Sequence, residues 1–219
     1  MTRMRSKSEI VSRLIDPGII AVVRAQKAEQ VLPLSEALIG GGIIAIEITM
    51  TTPNAIETIR ETSRRIGARG VIGVGTVLDA RTCRQAIEAG AEFVVSPILR
   101  PEIAETARGL DRPVMLGAYT PTEAQLAHEA GADFIKIFPS DGLGPNYIRA
   151  IRAPLPHLRI IPTGIATVDD VAGFITAGCV GVGLGSLLIT RPILEEANWL
   201  ELTRRARDFV AVVRRAREK

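Results

Sequence analysis

The sequence predicts an α/β fold in which eight parallel strands, each followed by a helix, close into a (β/α)8 barrel with an extra N-terminal helix. Two observations lead there. Apolar strand-like runs and amphipathic helical segments alternate eight times along the 219 residues. The strands are also near-continuous apolar runs without clean alternation, as in a parallel sheet covered on both faces. An open doubly wound sheet is the alternative, but no phosphate-binding GxGxxG follows the first strand.

The elements follow in order. Residues 6 to 16 put Ile10, Val11, Leu14 and Ile15 at helical spacing, and Asp16-Pro17-Gly18 closes that helix. Residues 1–18 are thus an added helical segment and 19–219 the barrel of a single domain. Strands are expected at 19–24, 43–50, 71–77, 93–97, 113–119, 134–139, 159–164 and 180–189. Helices are expected at 28–39, 53–66, 80–89, 101–108, 121–130, 145–152, 168–177 and from about 195 onward. Thr52-Pro53 and Thr120-Pro121 place a capping hydroxyl before a proline at the first helical position, and Glu123 completes a capping box with Thr120. Thr167 with Asp170 is a weaker variant. Gly42, Gly90, Gly131 and Gly178 follow helices, where a glycine can take the left-handed conformation. The last helix carries Trp199, Leu202, Ala206, Phe209, Val210 and Val213 on one face, and Arg214, Arg215, Arg217 and Lys219 suit its C-terminus.

Composition narrows the function. A 47% hydrophobic content supports one large core, while 27 basic against 24 acidic residues leave a net charge of only +3. With 4% aromatics there is neither a polybasic stripe nor a base-stacking platform, which argues against nucleic acid. No apolar run is long enough to span a membrane, and the start of the chain lacks the apolar core of a signal peptide. Cys83 and Cys179 lie far apart without metal or redox spacing, consistent with a reducing cytoplasm. His128 and His157 match no metal motif and are expected at the surface.

Chemistry concentrates on Phe134-Ile135-Lys136-Ile137-Phe138-Pro139. Only four of the 27 basic residues are lysines, and Lys136 alone falls in an apolar strand run. The segment Glu88 to Pro97 recurs as Glu129 to Pro139 with one extra residue, and there Val95 takes the lysine's place. A buried ammonium is costly unless paired or deprotonated, and the neutral amine is the nucleophile that imine chemistry needs. A snorkelling or ion-paired structural lysine is the other reading.

In a barrel the working face lies at the C-terminal ends of the strands, where the sequence places Arg24, Glu47, Thr49, Thr76, Ser96, Tyr119, Lys136, Thr163 and Ser186. Glu47 is the second charge inside an apolar strand. Strands two and six oppose each other, so Glu47 and Lys136 are expected to face one another, either as a buried ion pair or as proton carrier and nucleophile. Arg24 could clamp a substrate carboxylate or pair with Glu47. Thr76 offers a hydroxyl among glycines, although such a stretch also suits tight packing. Thr163-Gly164 and Gly185-Ser186 end strands seven and eight, where barrels often hold phosphate on backbone N–H groups.

Taken together, the motifs Val22-Val23-Arg24-Ala25, Ala45 to Pro53, Gly73 to Val77, Val95-Ser96-Pro97, Thr120 to Glu123, Ile135 to Pro139, Gly144 to Ile148, Pro162-Thr163-Gly164 and Gly183 to Ser186 form an ordered set. With them the chain resembles the 2-keto-3-deoxy-6-phosphogluconate and 4-hydroxy-2-oxoglutarate aldolases, and also the galactonate-specific relatives. The resemblance runs from about Ile19 to the last helix. It implies a metal-independent, cofactor-free class I aldolase, acting on a small 2-keto acid and assembled as a homotrimer. It further implies that Lys136 forms the Schiff base, that Glu47 is the general acid/base, and that Thr76, Pro97 and Phe138 line the pyruvyl site. Two positions depart from the pattern. Some members carry an arginine where this chain has Thr51, while others share the arginine at position 24. The common Thr-Gly-Gly is Thr163-Gly164-Ile165 here. The gluconate or galactonate series, a non-phosphorylated substrate and a sugar-phosphate-binding barrel without turnover all stay open at this point.

Overall fold

The computed structural model describes residues 5–218. After helix α1 (Lys7–Ile15) come strands β1 (Ile19–Val23), β2 (Ala45–Thr49), β3 (Val71–Gly75), β4 (Phe93–Val95), β5 (Val114–Ala118), β6 (Phe134–Ile137), β7 (Ile160–Pro162) and β8 (Val182–Leu184). All pair in parallel, in the order β7-β6-β5-β4-β3-β2-β1-β8. The remaining seam, between β7 and β8, is joined by the single bridge Thr163↔Gly183. Helices α2 (Val31–Gly40), α3 (Ala55–Ile66), α4 (Ala80–Glu88), α5 (Pro101–Gly109), α6 (Pro121–Glu129), α7 (Gly144–Arg152) and α8 (Val168–Thr176) alternate with the strands. A short α9 (Arg191–Glu195) and the long α10 (Trp199–Arg217) follow β8.

The apolar runs conceal a period of two. Ile20, Ala45, Val71, Phe93, Val95, Met115, Phe134 and Ile161 form an inner core with Ile10 and Leu14 of α1. Their strand neighbours Ala21, Ile46, Ile72, Val94, Leu116, Ile135 and Ile160 belong to a separate outer core against the helices. Both faces are dry, so both parities are apolar. Ile10 and Leu14 are fully buried, and each contributes about 1.5–3 kcal/mol by leaving water.

Several boundaries differ from those expected. Strand eight stops at Leu184 because Gly185 turns the chain, its carbonyl accepting from the Leu188 and Ile189 N–H groups. The long helix starts only at Trp199, where the Asn198 side chain accepts from the Glu201 N–H, and α9 fills the gap. Thr52-Pro53 does not cap a helix. The Thr52 N–H donates to the Thr49 carbonyl in a turn, and α3 begins after Asn54, which has φ of +51°. The second helix also enters through a 3-10 turn at Ala28–Gln30.

Other junctions match their reading. Thr120 and Glu123 form the full capping box, and the Thr167 hydroxyl accepts from the Asp170 N–H. Gly42, Gly90, Gly131 and Gly178 all have positive φ. On α10, Leu202, Ala206, Phe209 and Val213 are buried. The Arg217 guanidinium donates to the Ile15 and Val180 carbonyls, while Lys219 lies outside the described residues.

Candidate active site

Lys136 and Glu47 meet inside the barrel. Lys136 Nζ lies 3.7 Å from Glu47 Oε1, and the two side chains are 4% and 3% exposed. That separation is too long for a hydrogen bond, and Glu47 Oε1 is buried without any hydrogen-bond partner. Lys136 Nζ also sits 5.3 Å from the centroid of the Phe138 ring. The expected meeting across strands two and six is therefore present, and Arg24 forms no ion pair with Glu47 among the described residues.

Glycines make the room. Glu47 is registered against Gly73, and Lys136 against Gly117. A Cβ on Gly75 would come within 2.5 Å of Glu47 Cγ and Cδ, and one on Gly73 within 2.5 Å of the Phe93 ring. A Cβ on Gly117 would run into the Pro97 carbonyl and approach the Ile98 nitrogen at 2.5 Å. Small residues at these inward positions let the glutamate and the end of β4 lean into the barrel. From the sequence, Gly73-Val74-Gly75 suggested tight packing in general; which side chain would fill the space was not legible.

Around this pair, Thr76 stands just past β3 with φ of +61°, a left-handed conformation uncommon for a residue with a Cβ. Pro97 and Phe138 are half-buried at the ends of β4 and β6. Thr49 is buried and its hydroxyl donates to the Val23 carbonyl at 3.1 Å. Ser96 is buried and accepts from the Ile98 N–H at 3.3 Å. Tyr119 is exposed, its N–H donating to Glu123 and its carbonyl accepting from the Tyr147 hydroxyl. That backbone bond, followed by the Thr120 hydroxyl and N–H, holds the Glu123 carboxyl below its usual range.

A cavity of ≈ 570 Å³ opens above, with Arg24, Phe138, Thr163, Gly164, Gly185 and Ser186 among its lining residues. Phe138 connects its floor to the buried pair. Thr76 and Pro97 lie outside this lining, so the candidate residues divide into a deep pair with its collar and a wider outer chamber. Arg191, beyond strand eight in the sequence, also reaches the chamber, held by Glu195 at 2.6 Å. Ile165 keeps its backbone out of the left-handed region and buries its side chain in the outer core. Gly164 carries the positive φ of that loop, at +81°.

Elsewhere, His128 and His157 are exposed with ring centroids 4.8 Å apart. Among the described residues no group of three or more His, Cys, Asp or Glu is arranged to hold a metal ion, and no helix is long and apolar enough to cross a membrane.

The family model described as "KDPG and KHG aldolase" matches residues 10–205. The chain is 36% identical over 169 residues to the 2-dehydro-3-deoxy-6-phosphogalactonate aldolase of Escherichia coli (strain K12), covering 77% of this chain and 82% of that protein. A solved structure described as "Native KDPGal structure" superposes with a TM-score of 0.85 at 33% identity, covering 92% of this chain and 96% of the other. The KDPG aldolase from Legionella pneumophila, with pyruvate captured as a covalent carbinolamine intermediate, gives 0.83 at 26% identity over 91% and 97% of the two chains.

Proposed function

This chain belongs to the KDPG and KHG aldolase family and is an aldolase; we propose that it cleaves 2-keto-3-deoxy-6-phosphogluconate, or its galactonate epimer, through an imine on Lys136. The products are pyruvate and glyceraldehyde 3-phosphate. The observation that carries this reading is the buried Lys136–Glu47 pair, 3.7 Å apart, with an unsatisfied carboxylate oxygen facing the amine.

In this mechanism the Lys136 amine attacks the C2 ketone, and Glu47 shuttles protons as water leaves to give the protonated imine. Glu47 then takes the C4 hydroxyl proton. The C3–C4 electron pair flows into the imine, forming an enamine and releasing the aldehyde. Protonation of C3 and hydrolysis free pyruvate and regenerate the amine. Thr76, Pro97 and Phe138 line the pyruvyl end. Arg24 holds the substrate carboxylate, and Thr163, Gly164, Gly185 and Ser186 receive the distal phosphate. Arg24 and these four residues line one chamber of ≈ 570 Å³, and Phe138 belongs both to that lining and to the surroundings of Lys136.

The chain acts as one domain over residues 1–219, as a cytoplasmic homotrimer; the family resemblance supports the assembly, which light scattering tests. The chemistry is tested by incubation with pyruvate and borohydride. One reduced pyruvyl group should appear on the peptide containing Lys136, and labelling elsewhere, or normal turnover by Lys136→Arg, overturns the assignment.

A further inference from the structure

The end of the barrel opposite the chamber holds a second cavity, of ≈ 510 Å³, where the chain leads into β3, β4 and β5. Its lining includes Arg5, Arg60, Arg64 and Arg112 against the two carboxylates Glu88 and Glu92. Arg60 and Arg64 stand one turn apart on α3 and so share a face. None of these residues takes part in the steps above.

Most of that positive charge lacks a counterpart within the cavity. Glu92 is taken by Arg5 at 2.6 Å, and the same guanidinium donates to the Gly67 and Ala68 carbonyls. Arg60 pairs with Glu57, outside the lining. Arg64 is exposed and has neither a hydrogen bond nor an ion pair among the described residues, and the exposed Glu88 pairs with none of these arginines. Arg112 is only 6% exposed. Its single hydrogen bond among the described residues runs from Nη1 to the neighbouring Asp111 carbonyl at 2.8 Å, and no carboxylate is paired with it. A guanidinium keeps its charge when buried, and a buried charge without a counter-ion is costly. Arg13 on α1 feels the same excess. Burial, followed by the positive charge of Arg5, holds its guanidinium below the ordinary range, and its Nε is buried without a partner.

We propose that this cavity is a second ligand site, for a small multivalent oxyanion such as a phosphorylated acid, held by Arg112 from within and by Arg64 and Arg60 from α3. The planar guanidinium fork suits phosphate and carboxylate oxygens, and the cavity has the size of a small-molecule pocket. A bound anion supplies the counter-charge Arg112 lacks and ties α3 to the peptide leading into β5. The site lies away from Lys136 and does not depend on the aldolase reading.

The test follows thermal unfolding of the full chain in about 10 mM pyrophosphate and in sodium chloride of equal ionic strength. Pyrophosphate should raise Tm by about 2–4 °C over chloride. Arg112→Gln should abolish the rise, and Arg64→Gln should remove more than about half of it. Arg64 is exposed, so its variant decides the matter if Arg112→Gln does not fold. Arg24→Ala, in the chamber, should keep the full rise. A parent without the rise overturns the proposal. So does a rise that survives largely intact in Arg64→Gln, or one lost in Arg24→Ala, which would place the anion in the chamber.

Discussion

A methyl group added at Gly75 would lie 2.5 Å from Glu47 Cγ and Cδ, inside the space the glutamate side chain occupies. Gly75 does not have a positive φ, so alanine fits its backbone, and the three atoms nearest the added methyl all belong to Glu47. Gly75→Ala should therefore fold while displacing the carboxylate. Turnover should fall by roughly 10²-fold, as expected when a proton-transfer group is moved by about an ångström. Pyruvate trapping on Lys136 should persist to some degree. Unchanged exchange of the pyruvate methyl protons with solvent would show that Glu47 is not the proton carrier.

Arg24 is exposed to the chamber and has no carboxylate partner among the described residues, which leaves its guanidinium available for substrate. Arg24→Lys keeps the charge but loses the planar fork. It should raise KM by roughly 10-fold or more, in keeping with the loss of a bidentate charged contact. Kinetics identical to the parent would remove Arg24 from the site.

The capping box at the start of α6 makes a pH-dependent contribution. Glu123 accepts from the Tyr119 and Thr120 N–H groups and the Thr120 hydroxyl, and its folded pKa lies below the ordinary value of 4.5. A carboxyl lowered by folding stabilises the protein above its unfolded pKa, and that contribution is lost as pH falls through the folded value. Glu123 is exposed, so solvent limits the effect to about 1 kcal/mol or less. Glu123→Ala should lower Tm by about 2–4 °C at pH 7. The difference from the parent should shrink below about pH 4, and a constant difference down to pH 3 would contradict the linkage.

Both thiols are held out of reach. Burial pushes Cys83 and Cys179 up to about 12. At pH 8 that leaves roughly one thiol in 10⁴ ionised. A thiol-disulfide reagent should label neither in the folded protein and both in denaturant. Prompt labelling of either under native conditions would show that α4 around Cys83, or the α8–β8 connection around Cys179, opens.

The barrel was legible because each βα unit carries its own punctuation, a run of apolar residues and a closing glycine such as Gly90 or Gly131. Glu47 and Lys136 were legible because a charge within an apolar run has few uses. Less legible were contacts made through absence. Gly75 and Gly117 look alike on paper, but one accommodates a carboxylate and the other the backbone of Pro97. Ser140 was missed because a serine after proline reads as loop; its burial depends on Thr163 and Gly164, 23 and 24 residues away. Thr52-Pro53 misled because the local cap motif yields to a turn that returns the chain to Thr49.

With Ile10 and Leu14 closing the lower mouth of the barrel over an unbroken apolar layer, the interior is a blind well. Lys136 and Glu47 stand within it, and Phe138, whose ring centroid is 5.3 Å from Lys136 Nζ, joins them to the chamber above. Traffic must then be last in, first out. The aldehyde, nearer the rim, departs before pyruvate in cleavage, and in synthesis pyruvate must enter first. An aldehyde that enters an empty well blocks the ketoacid behind it. Steady-state kinetics in the synthetic direction should accordingly show inhibition by excess aldehyde that rising pyruvate relieves.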